Sequence, residues 1–303
     1  MLTLIRKTIQ QPRRALRAAL VELVGVVAGP ARFAALRPPK TVGRVPHDQA
    51  VHESIRRELV AHGFEVRGMT LDLDDHRRYL VEARYGRFPA YYGGGRCRGF
   101  AEKAVEHYLA LKLLELDADD VCIDVASQGS PAPRIYRELT GCTVFRQDLS
   151  YPAGRRGERI GGDAAAMPVP DGFATKLTLH NAYEHFEGDA DIRFIKEAGR
   201  VLRPGGKLCI LPLFLHDTYA IQTDPAALPR NGLPFDDDAV LYCARGWRDR
   251  HGRFYDVPHL ISRIRDHLGG LRMQVIVIEN MRALDPDCYL SFVALFERPG
   301  DLR

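Results

Sequence analysis

Val121-Cys122-Ile123-Asp124-Val125, running into Ala126-Ser127-Gln128-Gly129-Ser130-Pro131, is the stretch on which the fold turns. Its first half is short, apolar and closed by an acid, the pattern of a strand. Ser130 followed by Pro131 is a good helix start, an N-cap residue with proline in the first turn. Strand, turn and helix in this order open an α/β domain.

Toward the C-terminus the alternation continues. Further strands are predicted at 143–147, 175–180, 207–213, 271–279 and 289–297, and helices at 131–139, 190–202 and 257–268. This order builds a mostly parallel sheet with helices on both faces. Residues 214–256 form a long connection rich in proline, aspartate and aromatic residues, and connections of that length usually carry function or small elements of their own. No internal repeat or low-complexity tract is present.

Toward the N-terminus, helices are predicted at 47–64 and 99–116. In the second, Ala101, Ala104, Val105, Tyr108, Leu109, Leu111, Leu113 and Leu114 supply an apolar face, and Glu102, Lys103, Glu106 and Lys112 are expected to face water. Tyr91-Tyr92-Gly93-Gly94-Gly95-Arg96 reads as a hinge or an active-site cover. Pro38-Pro39 and the polar stretch to Pro46 read as a linker. Residues 2–27 place Leu4, Ile5, Ile9, Leu16, Leu20, Leu23 and Val27 among arginines and lysines at helical spacing, with Pro12 expected to break the helix in two. The chain thus divides into a basic amphipathic arm (1–46), a helical cap (47–118) and a domain (119–303) carrying the insertion 214–256.

Nine Lys or Arg against the single Glu22 give residues 1–46 a charge of +8, so the rest of this +4 chain carries −4. A uniformly basic nucleic-acid surface is not indicated. The apolar part of the arm is too short for a spanning helix and holds Arg17 and Glu22. Glu22 also interrupts what would otherwise be a faint secretory-signal pattern. Packing on its own domain or a sister subunit, and peripheral association with an anionic membrane, are the two uses left open for it. The six cysteines show no CxxC pair or metal-ligand spacing, and a reduced, cytoplasmic chain is expected.

Several motifs, in order across about 180 residues, resemble the class I S-adenosylmethionine-dependent methyltransferases, particularly their small-molecule group. Val121–Val125 looks like the first strand with its acid, and Ser127-Gln128-Gly129-Ser130 stands where the glycine-rich turn belongs. Phe145-Arg146-Gln147-Asp148-Leu149-Ser150 is similar to the second-strand motif. Gly162-Asp163-Ala164 with Met167–Phe173 resembles the adenine-side loop. His180-Asn181-Ala182-Tyr183-Glu184-His185 follows, and Glu197–Gly206 is the strongest match. The resemblance implies a Rossmann-like, mostly parallel seven-stranded sheet with helices on both faces, preceded here by an N-terminal helical extension. It also implies S-adenosyl-L-methionine as cofactor, held by Asp124, Ala126, Gly129, Asp148, Leu149, Asp163, Ala164 and His180. In that scheme Asp148 accepts from the ribose diol, Asp163 from the adenine amino group, and the Ala164 N–H meets a ring nitrogen.

The departure lies in the turn. Where the family shows Asp-x-Gly-x-Gly-x-Gly, this chain has Ala126, Gln128 and Ser130, so side chains stand where glycine would permit positive φ and close approach. A remodelled loop that still binds is expected. His180, Glu184 and His185 are the candidate catalytic groups for an acceptor hydroxyl. Their H-x-x-x-E-H spacing matches no zinc motif, and Asp236-Asp237-Asp238 reads as a solvated turn or cap, so no metal is expected. A small-molecule acceptor, a sugar, glycolipid or secondary metabolite, is the leading expectation. The alternative is a catalytically inactive relative that keeps only an interaction or regulatory surface.

Overall fold

A computed structural model describes residues 12–46, 49–97, 99–229, 232–285 and 288–300, with side chains from residue 23 onward except at Gln49. Helix α1 is described over Pro12–Ala34, and the break expected at Pro12 falls at the edge of the described residues. The part of the predicted arm helix before Pro12 lies outside the described residues. Then follow β1 (Lys40–Val42), α2 (Gln49–Ala61), β2 (Glu65–Met69), α3 (Leu73–Ala83) and α4 (Phe100–Leu114). The domain proper continues with β3 (Val121–Val125), α5 (Ala132–Thr140), β4 (Thr143–Asp148), β5 (Gly154–Arg156), β6 (Arg159–Gly161), β7 (Ala174–His180), α6 (Ala190–Val201) and β8 (Leu202–Leu211). After β9 (Ala220–Thr223), β10 (Val240–Cys243) and β11 (Gly252–Phe254) come α7 (Val257–Arg263), β12 (Arg272–Ile278) and β13 (Phe292–Glu297).

The main sheet has nine strands in the order β2-β12-β13-β8-β7-β3-β4-β6-β5. Seven of them, β12 to β6 in that order, are the expected Rossmann-like sheet, parallel except for β13, which runs antiparallel to β12 and β8. One strand is added at each edge. β2, from the segment read as a helical cap, pairs parallel with β12, and β5 closes a hairpin with β6. Ile55 and Leu59 of α2 share the core cluster of Ile123, Leu177 and Ile210, so residues 49–69 are built into the sheet domain.

Residues 214–256 carry three short strands of a second sheet, ordered β1-β10-β9-β11. Its edge strand β1 comes from the stretch read as a linker, and Pro39 O accepts the Leu241 N–H at 2.8 Å. The insertion is tied to the main domain at Asp191 in α6. This buried carboxylate receives Arg253 at 3.0 Å, Arg263 at 2.8 Å and the Tyr255 hydroxyl at 2.7 Å. Asp236 and Asp238 of the acidic triplet are likewise engaged, by the Arg253 guanidinium and the His259 ring.

Helix α1 lies against the insertion through Gly25 and Gly29, which stand over the Pro225–Ala226 backbone. A Cβ at either would come within 2.0 Å of a carbonyl oxygen there. Leu23 and Val27 remain exposed beside this contact.

The largest correction concerns α4. Lys112 is exposed, but Glu102, Lys103 and Glu106 are buried, not facing water. Apolar residues surround nearly the whole helix, leaving no polar face wide enough for solvent, and such a helix is buried. All six cysteines are free, four of them fully buried.

Candidate active site

In an open α/β sheet, ligands bind beyond the carboxyl ends of the strands, where the order reverses. Here that point lies between β3 and β7, and the turn after β3 is the first element of the site. Ala126 sits at φ +54° and Gln128 at φ +38°, so the left-handed conformations are kept without glycine. Gln147, buried at the end of β4, holds the turn in place. Its Oε1 accepts the Ala126 N–H at 3.2 Å and its Nε2 donates to Gly162 O at 2.6 Å. Gly129 faces open space, and Ser130 Oγ accepts the Ala132 N–H at 3.1 Å to cap α5.

Asp148 ends β4. Its carboxylate accepts the Gln128 N–H at 2.8 Å and the Ser150 N–H at 2.8 Å, which fixes it against the turn. Leu149, next to it, is 77% exposed and offers an apolar surface. Asp163 starts a short 3-10 turn by accepting the Ala165 N–H at 2.9 Å and pairs with Arg193 at 3.2 Å; Ala164 beside it is buried. Asp148 and Asp163 thus have local work that any capping acid would do.

Asp124 and His180 end adjacent strands. Asp124 Oδ1 accepts the Thr178 hydroxyl at 2.9 Å and stands 3.6 Å from His180 Nε2. Burial pushes the Asp124 carboxyl up to about 6, although Ser127 and Thr178 donate to it. Burial, with the Lys103 ammonium nearby, holds His180 down at about 3, so it is a neutral imidazole. The Tyr136 hydroxyl bridges His107 O at 3.0 Å and His180 Nε2 at 3.1 Å. Its single hydrogen goes to the carbonyl, so Nε2 carries the imidazole proton and Nδ1 presents a lone pair. That Nδ1 and Asp124 Oδ2 are buried without hydrogen-bond partners.

Glu184 and His185 lie in the short turn after β7. Glu184 is buried, its carboxyl is pushed up by that burial, and its Oε2 has no partner. His185 Nδ1 is 2.5 Å from His251 O, which places the hydrogen there and leaves Nε2, 3.5 Å from Glu184 Oε1, as an acceptor. Trp247 of the insertion packs on the His185 ring at 5.7 Å.

A second layer was not legible at the outset. Lys103 Nζ contacts Glu106 Oε1 at 2.5 Å and the Tyr289 hydroxyl at 3.2 Å, and that hydroxyl donates to Asn181 Oδ1 at 3.0 Å. His107, one residue on, lies 4.9 Å from the His180 ring and 3.5 Å, Nε2 to Oγ, from Ser130. Tyr91 covers it, stacked at 5.7 Å with its hydroxyl 3.3 Å from Nε2, so the tyrosine and glycine segment lies over His107. Gly93, Gly94 and Gly95 all have positive φ, the reason for three glycines in that cover. The charged pairs in α4 looked like a solvated face; the apolar ring around them was the contrary signal.

Residues 123–210 match the family described as a methyltransferase domain. No curated protein matches the chain. Among solved structures it is similar to the Burkholderia thailandensis 1,6-didemethyltoxoflavin-N1-methyltransferase, at 15% identity, 76% of this chain, 92% of that one and a TM-score of 0.44. A SAM-dependent methyltransferase from Methanosarcina mazei aligns at 14% identity over 61% of this chain and 95% of that one, with a TM-score of 0.41. Human N-acetylserotonin methyltransferase aligns at 15% identity over 75% and 66%, with a TM-score of 0.39. From within β3 to the penultimate residue of β8, residues 123–210 match a methyltransferase domain.

Proposed function

We propose that the protein transfers a methyl group from S-adenosyl-L-methionine to a hydroxyl of a small molecule. The observation that carries the reading is the pair Asp124 Oδ2 and His180 Nδ1, two buried acceptors without partners at the point where the sheet order reverses. Buried polar atoms are otherwise satisfied almost everywhere in folded proteins, so such a pair marks where a ligand donates. Leu149 and the open space at Gly129 suit the cofactor's apolar and backbone-hugging parts, and the family resemblance assigns Asp148 to its ribose and Asp163 to its adenine.

The bound cofactor supplies a methyl carbon already activated by its sulfonium. The chain's own task is to align the acceptor, exclude water and take one proton. Tyr91 and the glycine cover close one side, and Trp247 with the insertion closes another. His185, with a free Nε2 beside Glu184, is the group suited to accept the hydroxyl proton as the new O–C bond forms. His180 is held too deep and too firmly neutral for that role, and serves as an acceptor for the ligand.

The test is transfer of labelled methyl from S-adenosylmethionine to panels of hydroxylated sugars, phenols and amines, with S-adenosylhomocysteine formation as the second readout. Turnover of hydroxyl compounds that falls at least tenfold in His185→Ala supports the reading. Turnover confined to amines would move the nucleophile from oxygen to nitrogen. Binding of the cofactor with no turnover on any panel would favour the inactive relative.

A further inference from the structure

Three buried carboxylates converge on this site, and each leaves one oxygen without a partner: Glu106 Oε2 from α4, Asp124 Oδ2 from β3 and Glu184 Oε2 from the turn after β7. His180 Nδ1 adds a fourth acceptor. Of the donors nearby, Lys103 meets Glu106 Oε1 and the Tyr289 hydroxyl, and the Thr178 hydroxyl meets Asp124 Oδ1. Burying a carboxylate without compensation is costly. Burial raises all three carboxyls, and Glu184 adds to the rise at Glu106. Among the described residues no group of three or more His, Cys, Asp or Glu is placed to hold a metal ion.

We propose that Glu106 and Glu184, with Asp124, form a seat for an organic cation, which makes the site prefer the positively charged sulfonium cofactor over its neutral thioether product. The inference rests on the S-adenosylmethionine reading above and concerns how this chain discriminates between the two forms. Methyl transfer removes the positive charge from sulfur. The seat then loses its counter-charge, and the thioether is held less tightly, which speeds the exchange of product for fresh cofactor. Glu106 lies on a helix ahead of the first strand of the methyltransferase domain, outside the motifs that carry the family resemblance.

The experiment is calorimetric titration of the full chain with three ligands and no acceptor: S-adenosylmethionine, sinefungin, whose amine keeps the positive charge, and S-adenosylhomocysteine, which lacks it. Wild type is expected to bind the two charged ligands at least tenfold more tightly than the thioether. In Glu106→Gln and, separately, Glu184→Gln, which keep size and remove charge, the ratio is expected to fall to threefold or less, with the thioether affinity changed less than threefold. Circular dichroism confirms that the variants fold. If all three ligands bind wild type with equal affinity, or if neither substitution changes the ratio, the proposal is overturned and the cofactor reading stands. If none of the three binds folded wild type, the cofactor reading itself fails, and the proposal with it.

Discussion

The Gln147 carboxamide accepts the Ala126 N–H at 3.2 Å and so does for the turn after β3 part of what glycines do elsewhere, holding it open at positive φ. The same side chain donates to Gly162 O, joining the turn to the adenine-side loop. Gln147→Leu removes both links while keeping the volume. It is expected to cost about 1–3 kcal/mol of stability in chemical denaturation and to weaken S-adenosylmethionine binding at least fivefold. Ala126→Gly, which relieves the left-handed strain, is expected to leave binding no weaker than wild type. A fivefold loss in Ala126→Gly would mean that the Ala126 methyl contacts the ligand.

His251 is buried, its Nδ1 3.0 Å from Glu184 O and its Nε2 without a partner. Burial, with Arg253 nearby, holds its pKa down at about 3 against an ordinary value of 6.5. The unfolded chain therefore binds a proton that the folded chain refuses, so this group contributes stability above pH 6.5 that is lost as pH falls toward 3. His251→Asn keeps a donor for Glu184 O and removes the titration. Denaturation midpoints measured at pH 7.5, 6 and 5 are expected to fall less steeply in the variant than in wild type. Parallel slopes would show that His251 is not the group being protonated.

Asp191 joins α6 to the insertion through Arg253, Arg263 and Tyr255. Removing one member of a buried ionic cluster leaves the others uncompensated, at a cost of about 3–5 kcal/mol. Asp191→Ala is expected to lower the thermal midpoint by roughly 10 °C. A shift under 2 °C would mean the insertion is held by its apolar contacts alone.

Much of this architecture could be read from the sequence, and the failures have physical reasons. β3, β4, β7, β8, β12 and β13 were predicted because their apolar runs are continuous and their turns are marked. β2 and β6 escaped: Glu65-Val66-Arg67-Gly68-Met69 and Arg159-Ile160-Gly161 have few apolar residues and take their place by pairing with stronger neighbours. β1 escaped for the same reason, since Lys40-Thr41-Val42 is an edge strand only because β10 is there. The acids at strand ends were recognised by order. Glu106, Lys103 and Tyr289 were not, because local charge pairs on a helix look alike whether they face water or a ligand.

Gly25 and Gly29 set how closely α1 approaches the insertion. Gly25→Leu is expected to detach the helix, which limited proteolysis reads as faster cleavage between residues 35 and 46 while the thermal midpoint of the remainder moves by less than 2 °C. We propose that exposed Leu23 and Val27, on an arm rich in Arg and Lys, also give this helix affinity for anionic lipid. Full-length protein is then expected to co-sediment with anionic vesicles more than a chain beginning at residue 47. Equal partitioning would leave the arm as a packing element only.

Whether the glycine-poor turn still builds a cofactor site is tested most directly by calorimetric titration of the folded protein with S-adenosylmethionine. One ligand per chain, bound in the micromolar range and weakened at least tenfold by Asp148→Ala, is the predicted result. No heat of binding at millimolar cofactor, in a sample whose circular dichroism shows the α/β fold, would contradict it.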